Sequence, residues 1–227
     1  MKAKFGAIIV AGSGKIGGHV ASRNRAGAYI RTKVTPVNPS TSFQAAVRNR
    51  LTEFSQAWRA LTEAQRQTWN NAVQQFSRTD VFGDIKNPSG INLFQRLNNN
   101  LGQVGIAPLN EAPLPGEVAQ VNLGALTFAE TGQVATVALS GAVPANTAVK
   151  VLATPQLSPG INFIKNQLKL IQTFPAATPS PLNIAAAYTA RVGALVEGQK
   201  VVVAIEFVNT LTGQVSGRQQ GSIIVAA

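Results

Sequence analysis

The hydrophobic spacing of this chain changes near residue 117, and that change limits the folds open to it. Ahead of it, "NPSTSFQAAVRNRLTEFSQAWRALTEAQRQTWNNAVQQF" sets Phe43, Val47, Leu51, Phe54 and Trp58 at steps of four, four, three and four. That is the stripe of one helix face. Pro39 lies just before it, and Thr41 or Ser42 can cap its first amides. Thr62-x-x-Gln65 has the capping-box pattern and opens a second helix, whose apolar face continues through Trp69, Val73 and Phe76. So short a link folds the two helices back as an αα-hairpin, with Trp58 and Trp69 as core between them. The turn-rich "SRTDVFGDIKNPSG" follows. Ser89 then starts a third helix, with Ile91, Phe94, Leu97 and Leu101 on one side and Gly102 at its end.

"GIAPLNEAPLPGE" has three prolines in thirteen residues and reads as a linker and domain boundary. Beyond it come short β-branched runs broken by Gly, Pro or Asn: "QVATVALS", "TAVKVLATP", "YTARVGAL", "QKVVVAIEFVN" and the closing "QVSGRQQGSIIVAA". Thr212-Gly213 fits a hairpin turn between two of them. Six to eight strands at this spacing predict an all-β sandwich rather than βαβ units. With no cysteine in the chain, an immunoglobulin-like version would lack the inter-sheet disulfide.

Residues 1–40 show neither period. Glycines at 6, 12, 14, 17, 18 and 27 interrupt them, and Pro36 and Pro39 close the stretch. Glycine frees the backbone, and each proline pushes its predecessor towards extended structure. The expectation is an extended arm with short strands at 5–10 and 28–34, lying across its own domain or docked on a neighbouring subunit. The chain as a whole then reads as a multi-part α+β protein. Its parts are a basic Gly-rich arm (1–40), a helical module (41–104), a Pro-rich linker (105–117) and an immunoglobulin-like β-sandwich (118–227).

Charge divides along the same line. The net charge is +11, and residues 1–50 hold nine basic side chains and no acid, the first being Glu53. Residues 1–116 carry 14 basic and 5 acidic groups, net +9; residues 117–227 carry 6 and 4, net +2. A basic front suits an acidic partner such as nucleic acid, a membrane surface or an acidic protein face, and suits equally a solvated arm. Arg23, Arg25, Tyr29, Arg31, Lys33, Arg48 and Arg50 are the candidate contacts, to a neighbouring subunit or to a polyanion. Tyr29 is the lone aromatic among these arginines, which gives little support to single-strand stacking.

Enzymatic chemistry finds little material. Gly12-Ser-Gly14-Lys-Ile-Gly17 fits the dinucleotide fingerprint, but that site needs a helix starting at the motif, an acid about 20 residues on and further βαβ units. A phosphate loop fails because Ile16 follows Lys15 and Ile9 stands where the first glycine belongs. The absence of cysteine removes thiolate ligands and nucleophiles. His19, the single histidine, has no neighbouring carboxylate in sequence. Asp80 and Asp84 fall in a turn, where they cap or bend backbone. No catalytic, cofactor or metal-binding residue and no small-molecule substrate is expected. No apolar run approaches the roughly 18–20 residues of a membrane helix. Phe5–Ala11 is too short for a secretory core, and glycines and arginines follow where cleavage would fall.

Taken together, the patterns Arg25-Ala26-Gly27-x-Tyr29-x-Arg31, Pro36-Val37-Asn38-Pro39-x-Thr41, Gln44…Arg48 and Trp58…Leu61-Thr62-x-x-Gln65-Arg66…Trp69 resemble a recurrent family of tailed-phage and prophage proteins. Gly90-x-Asn92-x-Phe94-x-Arg96-x-Asn98, followed by Ala112-Pro113, continues the likeness, which covers roughly residues 14–115. The resemblance implies a virion structural or structure-associated protein and brings no catalytic residues with it. The expected function is a ring, connector, tail or capsid-associated subunit, homo-oligomeric and bound to other virion proteins through its arm. The alternative is a nucleic-acid-binding virion accessory protein that uses the basic arm.

Overall fold

A computed structural model of the chain describes residues 12–24, 27–35, 37–164 and 166–227. The fold is mixed α+β, with antiparallel sheets and four helices among the described residues. Contacts divide it into two compact units, Met1–Asn49 with Ser77–Lys86, and Arg50–Phe76 with Asn87–Ala227.

In the first unit, β1 (Gly14–Ile16), β2 (His19–Asn24) and β3 (Gly27–Thr32) form an antiparallel three-stranded meander. The stretch expected to be an arm is thus a small sheet from residue 14 on; the strand expected at 5–10 lies outside the described residues. Ile16 pairs with His19, so Gly17-Gly18 is a two-residue hairpin loop, with Gly17 at φ +55°. The glycine motif therefore opens a hairpin, not the helix that a dinucleotide site requires. A second hairpin joins β4 (Arg78–Thr79) to β5 (Ile85–Lys86).

Helix α1 (Ser42–Ala60) begins in this unit and ends in the other. In the second unit, α2 (Glu63–Ala72) opens on its capping box: Thr62 Oγ1 accepts from Gln65 N–H, and Gln65 Oε1 accepts from Thr62 N–H at 2.9 Å. Helix α3 (Gly90–Gln103) is capped by Ser89. Phe54, Leu61, Trp69, Phe76, Leu93, Phe94 and Leu97 form the helical core. Trp69 lies in this core and Trp58 packs against it, and both meet Phe94 of α3, at ring-centroid distances of 5.4 and 5.3 Å. Leu93, rather than the expected Ile91, completes the buried face of α3.

Strands β6 (Leu123–Ala129), β7 (Val134–Leu139), β8 (Thr147–Ala153), β9 (Lys169–Phe174) and β10 (Leu182–Asn183) follow, then α4 (Ala185–Val192), β11 (Lys200–Asn209) and β12 (Gln219–Ile224). They form one sheet in the order β10-β7-β6 and another in the order β12-β11-β8-β9. Both contribute to one core, with Phe128, Val137 and Leu139 from the first and Val149, Val151, Val203, Ile205 and Phe207 from the second. "YTARVGAL", expected as a strand, instead holds the end of α4. The Ala185-Ala186-Ala187 run ahead of it favours helix, the Asn183 carboxamide accepts from Ala185 N–H at 3.0 Å, and Gly193 stops the turn at φ +118°. Tyr188 of α4 fills the core edge-on to Phe128 and donates its hydroxyl to Thr154 O at 3.0 Å.

The Pro-rich segment 105–117 is not a free tether. Asn98 of α3 binds both backbone groups of Leu109, Trp69 Nε1 donates to Asn110 O at 2.9 Å, and Ala112 N–H donates to Thr68 Oγ1 at 3.1 Å. Prolines remove backbone donors and hold the segment extended, so side chains of α2 and α3 supply its fastening. Residues Arg50–Phe76 and Asn87–Ala227, this segment included, fall in one compact unit.

Candidate assembly surface

Register assigns the residues of the N-terminal sheet to two faces, because neighbours along a strand alternate while directly paired residues share a face. Lys15, Val20 and Arg31 form one cross-strand row, with the Ser22–Tyr29 pair beside it on the same face. The opposite face carries Ile16, Ala21, Ala28 and Ile30, with His19, Arg23 and Thr32 around them. One side of the meander is thus basic and polar and the other mainly apolar.

Among the described residues neither face has a core. Ala21 is the only buried residue among the described residues of this unit. Large apolar side chains lie open instead: Ile16, Val34, Val37, Val81 and Ile85 are all exposed. The helical stripe is split as well, since Phe43, Val47 and Leu51 are 59%, 65% and 55% exposed while Phe54 is 5% exposed. A 19-residue helix is about 28 Å long, and one of ten residues about 15 Å, so α2 is too short to cover α1 along its whole length.

The candidate residues named from sequence do not form one cluster. Arg31 and Tyr29 share the basic face with Lys15, which sequence reasoning left out and which only register reveals. Arg23 lies on the opposite face. Lys33 follows β3, where its backbone N–H donates to Gly18 O at 2.7 Å. Arg48 of α1 donates from Nη2 to Asn38 Oδ1 at 2.8 Å. Arg50 belongs to the other unit, with Nη1 3.5 Å from Asn99 Oδ1 of α3. Arg25 lies outside the described residues.

Elsewhere, titratable groups are tied to structure. Asp80 Oδ1 accepts from the N–H groups of Phe82 and Asp84 at 2.8 and 3.1 Å, which shapes the β4–β5 turn. Glu206 of β11 meets Lys150 of its paired strand β8 at 3.1 Å and Arg218 at 2.6 Å. Burial works to raise the Glu206 carboxyl, but the hydrogen bonds and charges of Arg218 and Lys150 outweigh it and hold the group below the ordinary carboxylate value. Burial pushes the Tyr188 phenol up. An open cavity of about 400 Å³ lies between β6 and β12, lined by Leu123, Leu126, Gly221 and neighbours, with no titratable side chain. A second, of about 290 Å³, is lined by Phe163, Ile164 and Leu168, with Arg218 its single charged residue. Among the described residues no three His, Asp or Glu side chains converge as metal ligands, and no helix is long and apolar enough to cross a membrane. Comparison of the chain with protein-family models, with curated proteins and with solved structures yields no match.

Proposed function

We propose that the protein is a bacteriophage virion structural protein, a ring, connector, tail or capsid-associated subunit, that works by multi-copy assembly through its N-terminal unit. The observation that carries this reading is a sheet without a core among the described residues: three short strands with one buried residue, Ala21, beside exposed Ile16, Val34 and Val37. A sheet of this size needs a hydrophobic face or a packed helix to be stable in water. A neighbouring copy would supply that cover, and the same contact repeated around a symmetric assembly closes it. Phe43 and Val47 on α1 add to the apolar surface a neighbour would bury. The likeness of residues 14–115 to tailed-phage proteins supports a place in the virion. In this reading the strands from β6 to β12, in two antiparallel sheets about one core, are an immunoglobulin-like sandwich that supports the assembly unit.

The test is mass and shape in solution, by light scattering with negative-stain imaging, on the full chain and on F43S/V47S. Rings, tubes or a defined oligomer from the full chain, reduced to monomer in the variant, support the reading. A monodisperse full-length monomer at high concentration overturns it.

A further inference from the structure

We infer that the face of the N-terminal sheet carrying Lys15, Arg31 and Tyr29 is a polyanion-binding surface whose ligand is a nucleic-acid backbone. This surface is distinct from the apolar one invoked for assembly and stands without it. The pairings Lys15↔Val20 and Val20↔Arg31 set the two cations at either end of one row across the sheet. Two strand spacings separate them, about 10 Å at the backbone. Tyr29 stands two residues from Arg31 along β3, so its phenol and the Ser22 hydroxyl opposite lie on the same side as the cations.

Among the described residues no carboxylate answers these charges. The first unit contains two acids, Asp80 and Asp84. Asp80 is engaged with backbone N–H groups of its own turn, and Asp84 lies 3.8 Å from Lys86. Among the described residues no carboxylate oxygen comes within 4.0 Å of Lys15 or Arg31. Eight of the unit's residues outside the second hairpin are Lys or Arg, and the hairpin adds Arg78 and Lys86, which makes its net charge +8 (10 basic less 2 acidic) of the chain's +11.

The choice of nucleic acid over an acidic protein follows from how loosely the two cations are held. An acidic protein face needs carboxylates placed to match a set geometry. Lys15 and Arg31 have exposed side chains, and no hydrogen bond or ion pair to another described residue holds either one. A duplex presents a charge about every 1.7 Å of its axis, so two exposed cations about 10 Å apart find phosphates in any register. Hydroxyl donors such as Tyr29 and Ser22 are ordinary phosphate contacts, and none of this reads sequence.

The experiment is fluorescence anisotropy of the full chain with a labelled 30-base-pair duplex of arbitrary sequence, at several salt concentrations, for wild type, K15A/R31A and R23A. Circular dichroism confirms that each variant is folded. K15A/R31A is expected to weaken binding at least tenfold at low salt and to reduce the slope of log K against log salt by about 1.8, the value for two lost phosphate contacts. R23A removes a charge from the opposite face and is expected to change affinity less than twofold. Three results overturn the inference: no binding at low salt, an equal loss per charge in R23A, or displacement of the duplex by poly-L-glutamate at matched charge concentration. The last would assign the face to an acidic protein.

Discussion

Asn98 holds Leu109 by both backbone groups: its Nδ2 donates to Leu109 O at 3.2 Å, and its Oδ1 accepts from Leu109 N–H at 2.7 Å. The side-chain amide takes the place that a neighbouring strand would fill, and Asn98 is itself fully buried. Asn98→Ala would leave two half-buried backbone groups of Leu109 without their partner, a cost of about 2 kcal/mol. Chemical denaturation should show that loss. Hydrogen exchange should speed up first at Leu109 and Ala112, because the fastening of the Pro-rich segment fails before the helices do.

Gly213 fastens the turn after β11 to α3. Its φ is +71°, and a Cβ there would stand 2.5 Å from Leu97 O and 2.9 Å from Leu97 C, in the backbone of α3. Asn100 Nδ2 donates to Gly213 O at 2.8 Å across the same contact. Gly213→Ala combines strain with a clash that no side chain can relieve, and should cost more than about 2 kcal/mol. Gly217, four residues on, has open space around it, so Gly217→Ala should stay within about 0.5 kcal/mol. Equal midpoints for the two variants in urea would refute the docking of this turn on α3.

Most of the unit built on Phe94 was legible in the sequence, because each signal there is local. The Thr62–Gln65 capping box, the Ser89 cap and the turn at Thr212-Gly213 depend on residues a few positions apart. The motif around α3 has visible causes. Gly90 lets α3 approach Asn70, Phe94 joins both tryptophans, Arg96 lies 5.9 Å from the Phe76 ring centre, and Asn98 ties the Pro-rich segment. What the sequence hid is what long-range pairing decides. Lys15 and Arg31 are sixteen positions apart in sequence and come onto one face only because both strands pair with β2. The stripe from Phe43 to Trp58 is regular, and periodicity does not say where its cover ends. The lengths of the helices do contain that signal, since the predicted partners are shorter than α1.

Glu206 makes stability depend on acid. Its folded value is depressed by Arg218 and Lys150 in spite of burial, so its contribution is fully present above the ordinary carboxylate value of about 4.3 and is lost as pH falls through the lower folded value. Glu206→Gln leaves Lys150, whose side chain is 7% exposed, without its counter-charge, and should cost about 3 kcal/mol at pH 7. The gap between variant and wild type should narrow below about pH 4, where the wild-type carboxyl also becomes neutral. Arg218 is 44% exposed, so Arg218→Ala should cost less than about 1 kcal/mol. Urea midpoints measured at pH 7, 5 and 3 check all three statements, and a gap that widens on acidification would contradict the sign.

Leu51 and Phe54 stand three positions apart on the same helical stripe, yet one is 55% exposed and the other 5%. The sequence pattern treats them alike, so substituting each separates a core role from an interface role. Phe54→Asn removes a ring from the helical core and buries an amide in its place, and should cost about 4 kcal/mol. Leu51→Asn should leave the denaturation midpoint within about 0.5 kcal/mol of wild type, because its side chain faces outward in the single chain. If the proposed assembly covers this part of α1, Leu51→Asn should still shift the mass distribution in light scattering towards the monomer. A folded Leu51→Asn protein that assembles normally would confine the interface to the N-terminal unit, which within α1 ends at Asn49. A Leu51→Asn protein as unstable as Phe54→Asn would mean that the stripe is buried along its whole length within one chain.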